Sequence, residues 1–206
     1  MIKVEEAQLL ARLGENGERW IKGEWAKGES MCLHVAIRRS QLQPGDALII
    51  ERVAEYQGWG VTWNEDSATT WSDVRKRLSY VAVTDVELAE TFGPQWVHVL
   101  KLVRRAALLT PAEAVALDVA WEAAKIPSWE CELDSVGIAR WDAAGVAAGI
   151  AAGESLENAA WAPAWNAAGA LAVRNLVGEA NFTQARYDLL TGPWASVIGP
   201  VHPEDR

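Results

Sequence analysis

Phenylalanine, tyrosine, methionine, cysteine and histidine are all scarce in this 206-residue sequence, at two, three, two, two and three residues. Two cysteines, Cys32 and Cys131, are too few and too far apart for a secreted disulfide framework, so free thiols in a reducing compartment are expected. Three histidines and two cysteines scattered without ligand spacing exclude a zinc-type site, and no metal or cofactor is expected. Every apolar run is broken by Gly, Asp or Arg before it reaches membrane-spanning length. The opening Met1-Ile-Lys-Val-Glu-Glu has no apolar core of a signal peptide, so the expected location is cytoplasmic, with no membrane partner.

Positive charge is the next shortage, and it is uneven. Residues 1–105 hold 14 Lys+Arg against 15 Asp+Glu, whereas residues 106–206 hold 5 against 13. A net charge of −9 concentrated in the second half opposes binding to a phosphate backbone. It leaves room for an acidic face that docks a basic partner or imitates nucleic acid.

What the chain has in excess is tryptophan, with twelve residues, and alanine. Residues 111–178 repeat one phrase three times: Trp121-Glu-Ala-Ala, Trp141-Asp-Ala-Ala and Trp165-Asn-Ala-Ala. Alanine has the strongest helix propensity, and helices of small residues approach closely, leaving gaps that an indole fills. This stretch reads as scaffold, with Trp121, Trp141 and Trp165 buried between helices.

Helical periodicity recurs along the rest of the chain. Val4–Leu13, Cys32–Arg39, Ala47–Tyr56 and the segment from Trp96 through Leu100 and Val103 each carry an apolar face. Thr70 with Asp73, Thr84 with Glu87, and Thr110-Pro-Ala-Glu113 are capping boxes that open helices. Residues 61–70 are rich in side chains that bond their own backbone and read as a loop. Within it, Trp63 is expected as a buried anchor and Asn64 as the side chain that ties the loop to backbone. In the second half helices are expected over 111–125, 135–152 and 155–177, the last kinked or broken at Pro163. A short helix from Thr183 to Leu190 is followed by an irregular 191–203, and no strand is expected. The fold class is all-α, two packed helical subdomains, 1–108 and 109–206, divided where the charge balance shifts.

No catalytic constellation emerges. Cys32 and His34 are the first place to look for a nucleophile and base, and a two-residue spacing on a helix turns them about 200° apart. A base from elsewhere, His98 or His202, has no sequence support. The acidic clusters Glu65-Asp66, Glu130-Cys-Glu132-Leu-Asp134 and Glu204-Asp205 lack the spacing of a calcium loop. Gly58-Trp-Gly60 and Gly14…Gly17 precede no Gly-Lys-Ser/Thr and are not phosphate loops. Arg38-Arg39, Arg75-Lys-Arg77 and Arg104-Arg105 read as solvated surface, or as a patch that meets the acidic second half or a partner.

Three motifs do carry a resemblance. Trp20-Ile-Lys-Gly23, Cys32-Leu-His34-Val-Ala36 and Val61-Thr-Trp63-Asn64-Glu65, followed by Thr69 or Thr70 and a helix, resemble an uncharacterised family of small helical proteins of actinobacteria and their phages. That family's pattern is Trp-x-x-Gly, Cys-x-x-Gly-Ala and Trp-Asn-Asp before a Thr-capped helix. Here Val35 replaces its Gly and Glu65 its Asp. The Ala/Trp phrases and Phe182-Thr-Gln-Ala-Arg-Tyr187…Gly-Pro-Trp194 are similar to helical segments of actinophage proteins. The resemblance brings no activity with it. It implies a phage-encoded accessory protein acting in the host cytoplasm.

Three functions follow as expectations. The first is a non-enzymatic factor that binds a protein partner and modulates a host or defence component. The second is an enzyme or small-ligand binder with a pocket at Trp20, Gly23, Cys32, His34, Trp63, Asn64 and Glu65. The third, an acidic nucleic-acid mimic, needs a spaced row of carboxylates that the sequence scarcely provides.

Overall fold

The structure, a computed structural model, describes residues 1–22, 26–79, 81–125, 161–178 and 180–205. The protein is all-α: among the described residues there are ten helices and four strands of two residues each. The chain forms two compact units, Met1–Glu87 and Leu88–Arg206, each built of packed helices. The division lies earlier than the 108/109 boundary read from the charge balance. The helix over residues 96–106 packs on a helix of the later chain, so contacts and net charge change at different places.

In the first unit, the helices are α1 (Glu6–Leu13), α2 (Leu33–Arg38), α3 (Asp46–Tyr56), α4 (Val61–Glu65) and α5 (Trp71–Leu78). Leu9, Leu10 and Leu13 bury one side of α1, and α1 packs on α2 and α5. Arg38 of α2 grips Glu51 of α3 through two hydrogen bonds of 2.7 and 2.8 Å, both side chains nearly buried. This fork geometry is the strongest form of ion pair.

Strands occur where none was expected. β1 (Ile2–Lys3) pairs antiparallel with β4 (Ala82–Val83), and β2 (Ala26–Lys27) with β3 (Ser30–Met31). They are too short for a period-2 pattern to show in sequence, and they tie chain ends between helices rather than build a layer. The loop expected over 61–70 is also corrected: its first half is α4, whose Asn64 amide bonds the Gly60 carbonyl at 3.2 Å. The capping box of Thr70 and Asp73 then opens α5. Gly17, in the left-handed region, gives its missing side chain's space to Trp71, whose ring lies 2.3 Å from where a Cβ would stand.

Helix α6 (Asp85–Phe92) opens with the Thr84–Glu87 box. In the second unit come α7 (Trp96–Ala106), α8 (Pro111–Ala124), α9 (Trp161–Val177) and α10 (Gln184–Val197). The Thr110–Glu113 box and Pro111 start α8 as expected. α9 packs on α7, α8 and α10. Ala164, Ala167, Ala168, Ala170, Leu171 and Ala172 are all fully buried, so this helix is covered almost all round, as a central scaffold helix must be. Its neighbours come so close that at Gly93 a Cβ would stand 2.7 Å from that of Asn175.

Pro163 stands third in α9, in the first turn, where no intrahelical acceptor waits for its missing N–H, and the stretch from Ser155 to residue 160 lies outside the described residues. A correction applies to α10, which continues past Leu190 through Pro193 to Val197. Burial of Leu190, Thr191, Pro193 and Trp194 holds it, while the Thr191 hydroxyl donates to the Tyr187 carbonyl at 2.8 Å. Trp121 is half-buried rather than enclosed. Trp141, the side chain of Trp165 and the helix expected over 135–152 lie outside the described residues.

Candidate functional site

The family-like motifs meet in the first unit, and their junction is Asn64. Its side chain is fully buried, and its Oδ1 accepts from the indole Nε1 of Trp20 at 3.1 Å and from the Leu33 amide at 3.4 Å. One carbonyl oxygen thereby joins the Trp20 segment, the start of α2 and α4. Lys22 donates to the Asp66 and Ser67 carbonyls at 2.9 and 3.1 Å, and Thr69 donates to the Trp63 carbonyl at 2.6 Å. Asn64 does bond backbone, but 31 residues away rather than within its own segment. Trp63 is half-buried, so the buried anchor is Asn64 itself.

Cys32, the residue before α2, is buried, and burial pushes its thiol above the ordinary cysteine value, against the lowering effect of the Val35 and His34 amides. His34 is fully enclosed, and burial pushes its imidazole below the ordinary histidine value, against the raising effect of Glu51. Neutral thiol and neutral imidazole, each shielded from water, make no nucleophile–base pair. Glu65 points to solvent, and Gly23 lies outside the described residues. Cys32, His34 and Asn64 of the expected site are thus buried side chains.

A cleft of about 380 Å³ does open beside this junction, lined by Gly58, Trp59, Trp63, Asp73, Lys76 and Arg77. The Arg77 guanidinium stacks 4.5 Å from the centre of the Trp59 ring, whose Nε1 donates to Gln57 at 2.9 Å. Burial lowers the Arg77 pKa, with Glu87 opposing. Lys76 is exposed, while Arg75 turns away to pair with Glu6. Of these residues only Trp63 belonged to the expected site. The signal for the others was the Arg75-Lys-Arg77 cluster, where alternate residues leave the helix on different sides.

The second unit has a cavity of about 360 Å³ between α7, the end of α10 and residues 198–203. Its apolar wall comes from Leu102, Trp194, Ile198, Pro200 and Val201, and its polar side from His98, Lys101, Arg105 and His202. The rings of His98 and His202 meet edge to face, centres 4.5 Å apart. Burial lowers the His98 pKa, His202 and Lys101 lower it further, and Glu204 opposes them. His202 is buried, and its Nδ1 accepts from the Glu204 amide at 3.2 Å. Its Nε2 is sealed from solvent and has no hydrogen-bond partner among the described residues. His98, Lys101 and Arg105 stand at i, i+3 and i+7 of α7, a helical face visible in the sequence once His202 is known to approach it.

No helix among the described residues is long and apolar enough to cross a membrane. Compared with known families, characterised proteins and solved structures, the chain matches none.

Proposed function

We propose that the protein is a non-enzymatic accessory factor that works in the cytoplasm by binding a protein partner, of the kind encoded by actinobacteria and their phages. The observation that supports this reading is the cleft of Trp59, Trp63, Lys76 and Arg77. Tryptophan and arginine are the residue types that dominate protein-binding energy. Here a half-buried Trp63 and an exposed Lys76 line the same cleft. The complementary surface is an apolar side chain flanked by a carboxylate. The buried, neutral Cys32 and His34 support binding rather than chemistry at this end of the molecule.

A photo-crosslinking residue at position 76 tests the reading in an actinobacterial host. The captured protein is purified, and its affinity for the wild type, Trp63→Ala and Lys76→Glu is measured by calorimetry. The reading requires a loss of about tenfold or more in each variant, the scale of one lost charged or aromatic contact, with unchanged melting temperature. Equal affinities in all three proteins overturn it.

A further inference from the structure

Val115 and Val119 stand one turn apart on α8, and they are 61% and 63% exposed. Ala112, Ala116 and Ala123 share that side of the helix and are exposed too, while Asp118 and Glu122 flank it. The helix presents a branched apolar stripe edged by two carboxylates. A surface of this pattern fits an apolar groove with a basic rim.

We propose that this stripe docks into the Trp59–Trp63 cleft of a second copy of the chain, with Val115 and Val119 against Trp63 and with Lys76 facing Asp118 and Glu122. The inference rests on the reading of that cleft as a protein-binding site, and it names the occupant.

Charge complementarity selects the pairing. At the cleft, Asp73 spends its carboxylate on the Thr70 amide and hydroxyl, at 2.9 and 2.6 Å. Glu87, which opposes Arg77, accepts from Gln57 at 2.6 Å and from the Thr84 amide at 2.7 Å. Lys76 is exposed and has no ion-pair partner among the described residues, and the same holds for Asp118 and Glu122. Other cations of the first unit are engaged: Arg38 with Glu51, Arg75 with Glu6, and Lys22 with two backbone carbonyls. Lys101 of the second unit also stands beside an apolar wall. There, however, Glu113 pairs with Arg105, Glu204 acts on His98, and Asp205 holds the His202 amide, so an incoming carboxylate meets three others.

The same charges decide against a symmetric pair. Two α8 helices laid on each other would set Asp118 and Glu122 against their own copies, and α8 carries no lysine or arginine to relieve them. A stripe in a cleft of about 380 Å³ instead joins two different surfaces, so copies add head to tail.

That asymmetry makes the test direct. Sedimentation velocity of the full chain is expected to show association that grows from micromolar to millimolar protein and weakens with added salt. Lys76→Glu breaks the cleft and Val119→Asp breaks the stripe, both at exposed positions. Each variant alone is expected to associate at least about tenfold more weakly than the wild type, the scale of one misplaced charge. Mixed in equal amounts they are expected to form a dimer that does not extend, because one intact cleft then meets one intact stripe. Lys101→Glu is expected to associate as the wild type does. A wild type that stays monomeric, a mixture that stays monomeric, or association lost in Lys101→Glu overturns the proposal. A melting temperature that falls in Val119→Asp assigns the stripe to the chain's own packing and overturns it as well. If the wild type is monomeric while the captured host protein still loses affinity for Lys76→Glu, self-association fails and the reading of the cleft stands.

Discussion

Trp20 and Asn64 stand 44 residues apart in sequence, and the indole N–H of one donates to the side-chain oxygen of the other at 3.1 Å. The same oxygen accepts the Leu33 amide, so removing it orphans two donors at once. A buried donor left without a partner costs about 1–3 kcal/mol. Asn64→Ala is therefore expected to lower stability by about 3 kcal/mol in urea unfolding, and Trp20→Phe by about 1 kcal/mol. An Asn64→Ala protein within 0.5 kcal/mol of the parent, about the scatter of a neutral surface change, would show that this junction does not hold the unit together.

Cys32 is expected to be inert. Its thiol is buried and held above its ordinary pKa, so the reactive thiolate is scarce and shielded. In a Cys131→Ser background, an aromatic disulfide reagent should react with the folded protein at least about a hundredfold more slowly than with the urea-unfolded chain, given protection by burial. Comparable rates would reopen Cys32 as a nucleophile.

Helix boundaries were legible wherever a local signal sets them. Thr70, Thr84, Thr110 and Thr183 each cap the helix that they announce, because an N-cap is a contact between residues three apart. Local rules failed where distant packing decides. Pro193 lies inside a helix, and Val61–Glu65 is helical despite its turn-forming residues. The site shows the same division. Trp20 and Asn64 were grouped by their motifs, and they do meet, together with the Leu33 amide that follows Cys32, in one hydrogen-bonded junction. No spacing rule marks that Arg77 lies on Trp59, or that His202 meets His98, because residues 18 and 104 positions apart in the chain are joined only by the fold.

His34 sets an acid limit on the first unit. Its imidazole is fully buried and its folded pKa is depressed, chiefly by burial, below the ordinary value of about 6.5. The unfolded chain therefore binds the proton first, and between the two pKa values it holds more protons than the folded one. Stability is complete above pH about 6.5 and falls as pH drops through that value toward the folded pKa. His34→Gln, which cannot be protonated, is expected to flatten this segment of the stability–pH curve, as read by urea unfolding at a series of pH values. An unchanged slope would place the acid sensitivity elsewhere.

The second unit is closed by Asp205, and its removal should loosen the cavity wall as well as the fold. The Asp205 carboxylate accepts from the Tyr187 hydroxyl at 2.8 Å and from the His202 amide at 2.7 Å, and stands 3.6 Å from Arg174. Arg174 in turn lies 3.7 Å from the centre of the Tyr187 ring. Burial, then the bond to Asp205, raises the Tyr187 pKa, so the phenol remains a donor throughout the physiological range. Asp205→Ala leaves a nearly buried guanidinium without its carboxylate, which costs on the order of 3 kcal/mol. Tyr187→Phe removes a single donor from a carboxylate that keeps two partners, and is expected to cost about 1 kcal/mol. Because both changes break the same contact, their combination should cost less than the sum, with a coupling of about 1 kcal/mol in a double-mutant cycle. Hydrogen exchange should show the His202 amide unprotected in Asp205→Ala and still protected in Tyr187→Phe. If the His202 amide stays protected without Asp205, residues 198–205 are held by the burial of Val201 and His202 alone.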